Sequence, residues 1–367
     1  MKVFEPRYLL IGALLLSCTS SAESPESPVI TESLDNIEIT EQPRSTVSNE
    51  RTVINEGAVI KEWSVIKEWK VPWKNSLPRD PWVENAGTIW FVGQKADYVA
   101  TFNPADGEFK RYDLDAGTGP HTVIVDKRGA WYAGNTASHV GLRNPQTGAV
   151  EKFVLPGDGP GDVHTMDFTS TGDIWFTVQG GNQIGLLKGD SKKITLHDVP
   201  TKHARPYGLL VDRNDKPWVA LFGTNKLATV EDNHVVEITL PRAENRPRRL
   251  AISPDGMVWY VDYVEGHLGR YNPMTGSIDE WRMPGEEKSR PYAVAADKRG
   301  VIWIVETGPQ PNRLVSFDPQ TQSFGTPVEI PSGGGAVRNM MYDAKENSLW
   351  FGTDTDTIGR ARLPSAD

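Results

Sequence analysis

The chain has 367 residues, of which 38% are hydrophobic, and its formal net charge is -9. This composition provides enough apolar material for a core but excludes a bundle of membrane-spanning helices. The acidic balance gives no basic surface for nucleic acid, so we expect no nucleic-acid partner. A single cysteine excludes an internal disulfide and any metal site that needs a cysteine pair.

The first 17 residues have the pattern of a secretory signal peptide. Lys2 and Arg7 supply the positive start, and an apolar run covers residues 8–16. That run is too short for a membrane-spanning helix, which needs about 20 residues. We therefore predict that residues 1–17 are removed during export.

The only cysteine, Cys18, directly follows the sequence Leu-Leu-Ser. This junction resembles the bacterial lipobox, which predicts a lipid attached to Cys18 and a membrane-anchored protein. Thr19 rather than an aspartate follows, which is typical of outer-membrane lipoproteins facing the periplasm in a double-membraned bacterium. The alternative is ordinary secretion with an incidental thiol.

Residues 18–58 are predicted to form the lipidated cysteine and a disordered linker. From residue 19 the stretch holds eight acidic residues, two basic residues and no aromatic residue, with many Ser and Pro. The folded part should therefore cover residues 59–367.

A tryptophan repeat determines the predicted fold. Seven tryptophans recur at spacings of 41 to 47 residues, each after a turn: Trp90, Trp131, Trp175, Trp218, Trp259, Trp303 and Trp350. Each unit contains short strand-like runs separated by turns, without a helical period. Repeated four-strand units of this length predict an all-β, seven-bladed β-propeller, with the tryptophans packed between blades. The predicted blades span 81–116, 119–157, 162–200, 204–242, 246–286, 289–332 and 335–364.

The last predicted blade lacks a fourth strand at the C-terminus. Residues 65–72, VIKEWKVP, can supply that strand and close the ring without an open sheet edge. The phrase VIKEW occurs at 59–63 and again at 65–69, so the sequence leaves open which copy closes the ring.

One polar or aromatic residue in each blade is predicted to begin the innermost strand, beside the central channel. Convergent polar groups of this kind are typical of a small-molecule site, although a solvated rim without a ligand is the alternative. The predicted ring consists of Trp82, His121, His164, Tyr207, Arg248, Tyr292 and Arg338.

Arginines dominate one side of this predicted mouth. Arg205, Arg249 and Arg290 lie next to the ring in sequence and join Arg248 and Arg338. Arginine matches carboxylate and phosphate groups, so the pattern favours an anionic ligand. Ion pairs between blades are the alternative, and we expect two of these arginines to pair with the carboxylates that follow the tryptophans at positions 259 and 303, Asp262 and Glu306.

The phrases IWFVG, DIWFTV, GNQIGLL and HLGRY resemble the streptogramin lyase (virginiamycin B lyase) family over residues 65–364. The resemblance implies a carbon–oxygen lyase that opens a lactone ester, with a histidine base and a divalent metal, Mg or Ca, held by carboxylates. It places the key residues in the last two blades. Here Tyr292 and Arg338 replace the two histidines and Ala336 replaces a glutamate, while Asp354 keeps a carboxylate.

His121 and His164 lie in adjacent predicted blades with the spacing of the family's histidine pair. Asp162 precedes His164 by two residues, which favours a base oriented by a carboxylate or a metal held by it, although Gln179 is a weak metal ligand. We therefore predict His121 and His164 as catalytic candidates with pKa values near neutrality. Two functions remain open: a metal-assisted lyase or lactone-acting enzyme, and a non-catalytic binding module tethered to the membrane.

Overall fold

A computed structural model of the chain describes residues 66–84, 87–159 and 161–364. The predicted signal peptide, Cys18 and the predicted linker lie outside the described residues. Within the described ranges, no helix has the length and apolar character to cross a membrane.

The described chain folds into 29 strands and two single-turn 3-10 helices, Gln94–Ala96 and Glu286–Lys288. Blades one and two contain β2 (Pro78–Val83), β3 (Ile89–Gly93), β4 (Tyr98–Phe102), β5 (Phe109–Asp113), β6 (Pro120–Asp126), β7 (Gly129–Gly134), β8 (His139–Arg143) and β9 (Val150–Val154). Blades three and four contain β10 (Val163–Phe168), β11 (Ile174–Val178), β12 (Gln183–Leu187), β13 (Ile194–Asp198), β14 (Pro206–Val211), β15 (Pro217–Leu221), β16 (Lys226–Glu231) and β17 (His234–Thr239).

Blade five contains β18 (Pro247–Ile252), β19 (Val258–Asp262), β20 (His267–Tyr271) and β21 (Ile278–Arg282). Blade six contains β22 (Pro291–Ala296), β23 (Ile302–Glu306), β24 (Arg313–Asp318), β25 (Ser323–Phe324) and β26 (Val328–Glu329), the last two forming a split outer strand. Blade seven contains β27 (Met340–Asp343), β28 (Ser348–Gly352), β29 (Thr357–Arg362) and the first described strand, β1 (Ile66–Lys70). All pairings are antiparallel, and the seven-bladed β-propeller is confirmed.

The repeat tryptophans pack between blades, as predicted. All seven are buried. Trp303, for example, shares an apolar cluster with Leu349 and Phe351 of the next blade. Each second strand is buried along its whole length, because neighbouring blades cover both of its faces.

The N-terminal strand closes the ring. Strand β1 pairs with β29, with Ile66 opposite Ala361. Trp69 of β1 stacks on Trp350 of β28 with ring centroids 5.6 Å apart. The second VIKEW copy is therefore the one that pairs, and the first copy lies outside the described residues.

A β-bulge in the innermost strands sets which residues reach the channel. In blade two, Pro120 pairs with Gly134, and the register then shifts before Val123. Such a bulge aims consecutive side chains towards the axis. Blade one has a similar shift, in which Pro78 pairs with Gly93 and the register changes between Arg79 and Trp82.

The bulge corrects the prediction for Trp82. Arg79, which follows Pro78, takes the position that His121 holds in blade two. Trp82 lies beyond the bulge, opposite Trp90, and packs edge-on against Phe168 at 6.0 Å.

Candidate functional site

Four aromatic side chains of the predicted ring are brought into a contiguous, buried arc. The imidazole centroids of His121 and His164 are 3.7 Å apart, and those of His164 and Tyr207 are 4.0 Å apart. The hydroxyl groups of Tyr207 and Tyr292 share a short hydrogen bond. These four side chains are buried, so they close the channel at this level instead of lining an open tube.

The guanidinium of Arg248 lies in a cage of aromatic rings. Its carbon is 3.8 Å from the ring centroid of Tyr292, 4.2 Å from Tyr263, 4.6 Å from Phe222 and 5.0 Å from Tyr207. Phe222 and Tyr263 are half-buried, as is Arg248, so this cage faces the mouth of the channel. Cation–π contacts of this kind stabilise an arginine without neutralising its charge.

Arg248 has few polar contacts among the described residues. One Nη2–H donates a long bond of 3.5 Å to the Tyr207 hydroxyl, and the buried Nε–H has no acceptor. The nearby carboxylates have other partners: Asp354 pairs with Arg338, and Asp80 pairs with Arg249. The mouth therefore holds a half-buried positive charge without a carboxylate partner in the described part of the chain.

The two tyrosines respond differently to this charge. Burial alone would raise the pKa of Tyr207, but Arg248 and Arg249 bring it below its ordinary value. Burial, together with the adjacent phenol of Tyr207, raises the pKa of Tyr292.

Of the other arginines predicted at the mouth, Arg338, Arg205 and Arg290 lie at its rim, whereas Arg249 is buried below the ring. Arg338 donates from Nε and Nη2 to Asp354, at 3.1 and 2.5 Å. Arg205 and Arg290 are exposed, and Arg205 lies 5.5 Å from the ring of Phe222. Arg205 thus adds a positive charge beside the cage, whereas Asp354 balances the charge of Arg338.

The expected partners of Asp262 and Glu306 need correction. Asp262 pairs with Arg242 at 3.2 Å, and Glu306 pairs with Arg313 at 2.5 Å. Both carboxylates also accept backbone N–H groups, from Arg246 and Gly285 respectively, so they fix the loops between blades. They do not neutralise the arginines of the mouth.

Below the ring, a buried polar layer joins opposite sides of the channel. Asp80 accepts hydrogen bonds from Arg249 Nη2 at 3.2 and 3.3 Å and from the Thr122 hydroxyl at 2.8 Å. The Nδ1 atom of His121 lies 3.7 Å from the same carboxylate. Sequence reasoning missed Asp80, which replaces Asp162 as the carboxylate nearest to His121.

The histidine pair is uncharged near neutral pH. Burial lowers the pKa of both imidazoles well below the ordinary value, and the surrounding Arg79 and Arg249 lower it further. The expectation of pKa values near neutrality is therefore corrected. The rings can accept a proton only as weak bases.

The residues expected to hold a divalent metal do not form a suitable donor set. Both oxygens of Asp162 accept the backbone N–H of Gly180, at 2.7 and 2.9 Å. Over the described ranges, no group of three or more His, Cys, Asp or Glu side chains is arranged to hold a metal ion. The arginines at the mouth would also repel a metal cation, so the described residues do not fit Mg or Ca.

Phe222 and Tyr263 complete the cage but were not predicted. Each directly follows the second strand of its blade and lies four residues after the repeat tryptophan, the position that Gln179 and Asp354 hold in blades three and seven. Aromatic residues at that repeat position are the sequence signal that could have identified them.

Comparisons with known proteins agree with this architecture. The model of the Virginiamycin B lyase family matches residues 29–230. Virginiamycin B lyase of Nocardia farcinica is 27% identical over 222 residues, which is 60% of this chain and 74% of that protein.

Two solved structures share the fold. Virginiamycin B lyase of Staphylococcus aureus superposes with a TM-score of 0.74 at 22% identity, over 82% of this chain and 99% of that one. A catalytically inactive histidine-to-alanine variant of the Staphylococcus aureus enzyme, with quinupristin, gives a TM-score of 0.75 at 22% identity, over the same shares of 82% and 99%.

Proposed function

The chain belongs to the virginiamycin B lyase family, and on that basis we propose that its channel mouth binds a small molecule through a carboxylate or a lactone carbonyl. The observation that carries this proposal is the aromatic cage around Arg248. A half-buried guanidinium is costly without a partner, and cation–π contacts offset only part of that cost.

The cage also indicates the shape of the ligand. Phe222 and Tyr263 present half-buried ring faces beside the guanidinium. A planar apolar group can pack on these rings while its oxygens accept from Arg248. Arg205 and Arg290, exposed at the rim, would attract a negative charge towards the cage.

Titration calorimetry with benzoate tests this function. Benzoate combines a carboxylate with an aromatic ring, and methyl benzoate provides the uncharged comparison. Arg248→Met keeps an apolar stem against the rings and removes the charge. We expect this variant to bind benzoate about ten- to a hundredfold more weakly, as is typical for the loss of a hydrogen bond to a charged group.

Arg270→Met is the matched control for that experiment. Arg270 also lies beside aromatic rings, Trp259 and Trp281, but on an outer strand of the same blade and paired with Asp279. It should bind benzoate like the wild type. No saturable binding of benzoate, or equal losses in both variants, would refute the proposed site.

A second candidate function is lactone opening by elimination. The neutral imidazole of His121, with Asp80 at 3.7 Å, is the observation that favours it. The imidazole would take a C–H proton, the C–H electron pair would form a double bond, and the C–O bond would break to release a carboxylate. Asp80 would stabilise the resulting imidazolium.

Mass spectrometry after incubation with quinupristin distinguishes elimination from hydrolysis and from the absence of a reaction. Elimination gives a ring-opened product of unchanged mass, whereas hydrolysis adds one water. If elimination occurs, His121→Gln should slow it by about a hundredfold or more. Unaltered quinupristin together with intact benzoate binding favours the alternative, a non-catalytic binding module.

We further propose that the propeller is a cell-envelope lipoprotein anchored through Cys18. The lipobox-like junction and the acidic stretch at 18–58 support this. In a double-membraned bacterium, the expected location is the outer membrane, facing the periplasm.

A further inference from the structure

A cavity of about 310 Å³ lies on the propeller axis, beyond the ring of His121 and its neighbours. All seven innermost strands contribute to its wall, through the residues that follow the ring position. Its floor includes Asp80, Thr165 and Arg249, which are 2%, 5% and 3% exposed. Its outer wall includes Ile252 and Ala296, which are half-buried. The exposure of the lining residues therefore increases with distance from the ring, so the cavity opens at the end of the channel opposite the mouth.

The cavity is separate from the proposed site at the mouth. None of the residues found at the ring position lines it, namely Arg79, His121, His164, Tyr207, Arg248, Tyr292 and Arg338. The closely packed side chains of His121, His164 and Tyr207, with centroids 3.7 and 4.0 Å apart, lie between the two spaces. A molecule in one space is therefore out of reach of the other.

The wall of the cavity is apolar, and its floor contains a hydrogen-bond donor. Val123, Leu250 and Val294 are buried in the wall, and Trp82 lies near the opening. On the floor, Arg249 donates to Asp80 and Thr165, but its buried Nε–H has no acceptor among the described residues. A buried donor without an acceptor carries a desolvation cost that an oxygen of a ligand would remove.

Among the described residues, the floor of the cavity holds no free cation for an anionic ligand. Arg249 is balanced by Asp80. The other carboxyl group of the described lining, Asp167, accepts backbone N–H groups from Val211 and Phe168 at 2.8 and 2.9 Å. An anionic ligand would pay a desolvation cost here without a counter-charge, and a cationic group in place of an acceptor oxygen would face the Nε–H donor of Arg249.

We propose that this far cavity binds a neutral small molecule that has a flat apolar body and one acceptor oxygen directed at Arg249. Its volume lies at the lower end of the range for small-molecule pockets, about 300–1,000 Å³. A bicyclic ring system with an ester or ketone carbonyl matches this space and this floor.

The test uses the neutral fluorophore prodan, a naphthalene with a ketone carbonyl, as the probe. We expect saturable one-to-one binding with a blue-shifted emission. Ala296→Trp should fill the opening and weaken prodan binding at least tenfold, while Arg248→Met at the mouth should leave it unchanged. Ile252→Trp provides a second blocking variant if the first does not fold, and circular dichroism checks both.

Competition by naphthalene derivatives tests the ligand class. Methyl 2-naphthoate should displace prodan, whereas 2-naphthoate, 2-naphthylmethylammonium and 2-ethylnaphthalene should each need at least tenfold higher concentrations. The proposal is overturned if prodan does not bind saturably, if folded blocking variants bind it normally, or if a charged or oxygen-free competitor binds best. Loss of prodan binding in Arg248→Met would place the probe at the mouth and also overturn it.

Discussion

Asp80 and Arg249 are 169 positions apart in sequence, yet they form a buried ion pair across the propeller channel, with Nη2 and Oδ2 3.2 Å apart. The two residues belong to blades one and five. The pair therefore links opposite sides of the ring beneath the histidines. It also fixes the floor of the far cavity.

Removing one partner of this pair should be strongly destabilising. Arg249→Met leaves the Asp80 carboxylate buried without its counter-charge, and we expect the free energy of unfolding to fall by about 3–5 kcal/mol. The double variant Asp80→Asn/Arg249→Met should lose less than the sum of the two single variants. Urea denaturation measures all three. Arg270→Met, at a surface ion pair, should cost about 1 kcal/mol or less, and a similar small cost for Arg249→Met would contradict the account.

Because β1 closes the ring, two N-terminal truncations on either side of it should differ clearly in melting temperature. A chain that begins at Ile66 keeps every described strand and should melt like the full-length protein. A chain that begins at Trp73 loses β1, exposes the edge of β29 and uncovers Trp350, so it should melt lower and aggregate. Equal melting temperatures for the two truncations would show that β1 does not stabilise the ring.

The buried histidines predict a loss of stability in mild acid. Burial and nearby arginines hold the pKa values of His121 and His164 below the ordinary value of 6.5. The unfolded chain therefore binds protons below pH 6.5 that the folded chain does not. The free energy of unfolding should fall as the pH decreases below 6.5, by up to about 1.4 kcal/mol per pH unit for each histidine.

A variant comparison isolates this effect from Asp167, which acts in the opposite direction. Burial raises the pKa of Asp167 to about 6. The protonated carboxyl group therefore stabilises the folded chain fully at any pH below the pKa that Asp167 has in the unfolded chain, and this stabilisation is lost as the pH rises through 6. His164→Gln should flatten the slope between pH 6.5 and 5 relative to the wild type. The exposed His234→Gln should not, and identical slopes for all three proteins would refute the prediction.

The proposed lipid anchor predicts a change in membrane association. Cys18→Ala should abolish labelling with radioactive palmitate and release the protein from the membrane fraction. Ser20→Ala, two positions further on, should be labelled and fractionated like the wild type. Wild-type protein that carries no lipid would leave Cys18 as an incidental thiol.

The repeat made the fold predictable from sequence, because each blade repeats the same turn, tryptophan and strand phrases. Because the predicted blade seven lacked a fourth strand, the sequence also predicted that residues 65–72 supply it. The register of blade one was not predictable in the same way. Pro78-Arg79 and Pro81-Trp82 both resemble the phrase Pro206-Tyr207, and only the bulge selects the first.

The contacts within the site join residues that are far apart in sequence, so no local sequence pattern predicts them. Asp80 has a positive φ of 42°, and its partner Arg249 lies four blades away. The lowered pKa values of the histidines likewise arise from burial and from arginines of other blades. Sequence spacing suggested Asp162 instead, which bonds to the backbone of Gly180.

A crystal structure with 4-bromobenzoate, whose bromine is located by anomalous scattering, tests the central claim most directly. We expect a bromine peak at the mouth, with the carboxylate on Arg248 and the ring against Phe222 and Tyr263. The peak should be absent from Arg248→Met crystals soaked in the same way. Bromine in the far cavity alone, or no peak in wild-type crystals soaked at saturating concentration, would contradict the claim that the cage around Arg248 is the ligand site.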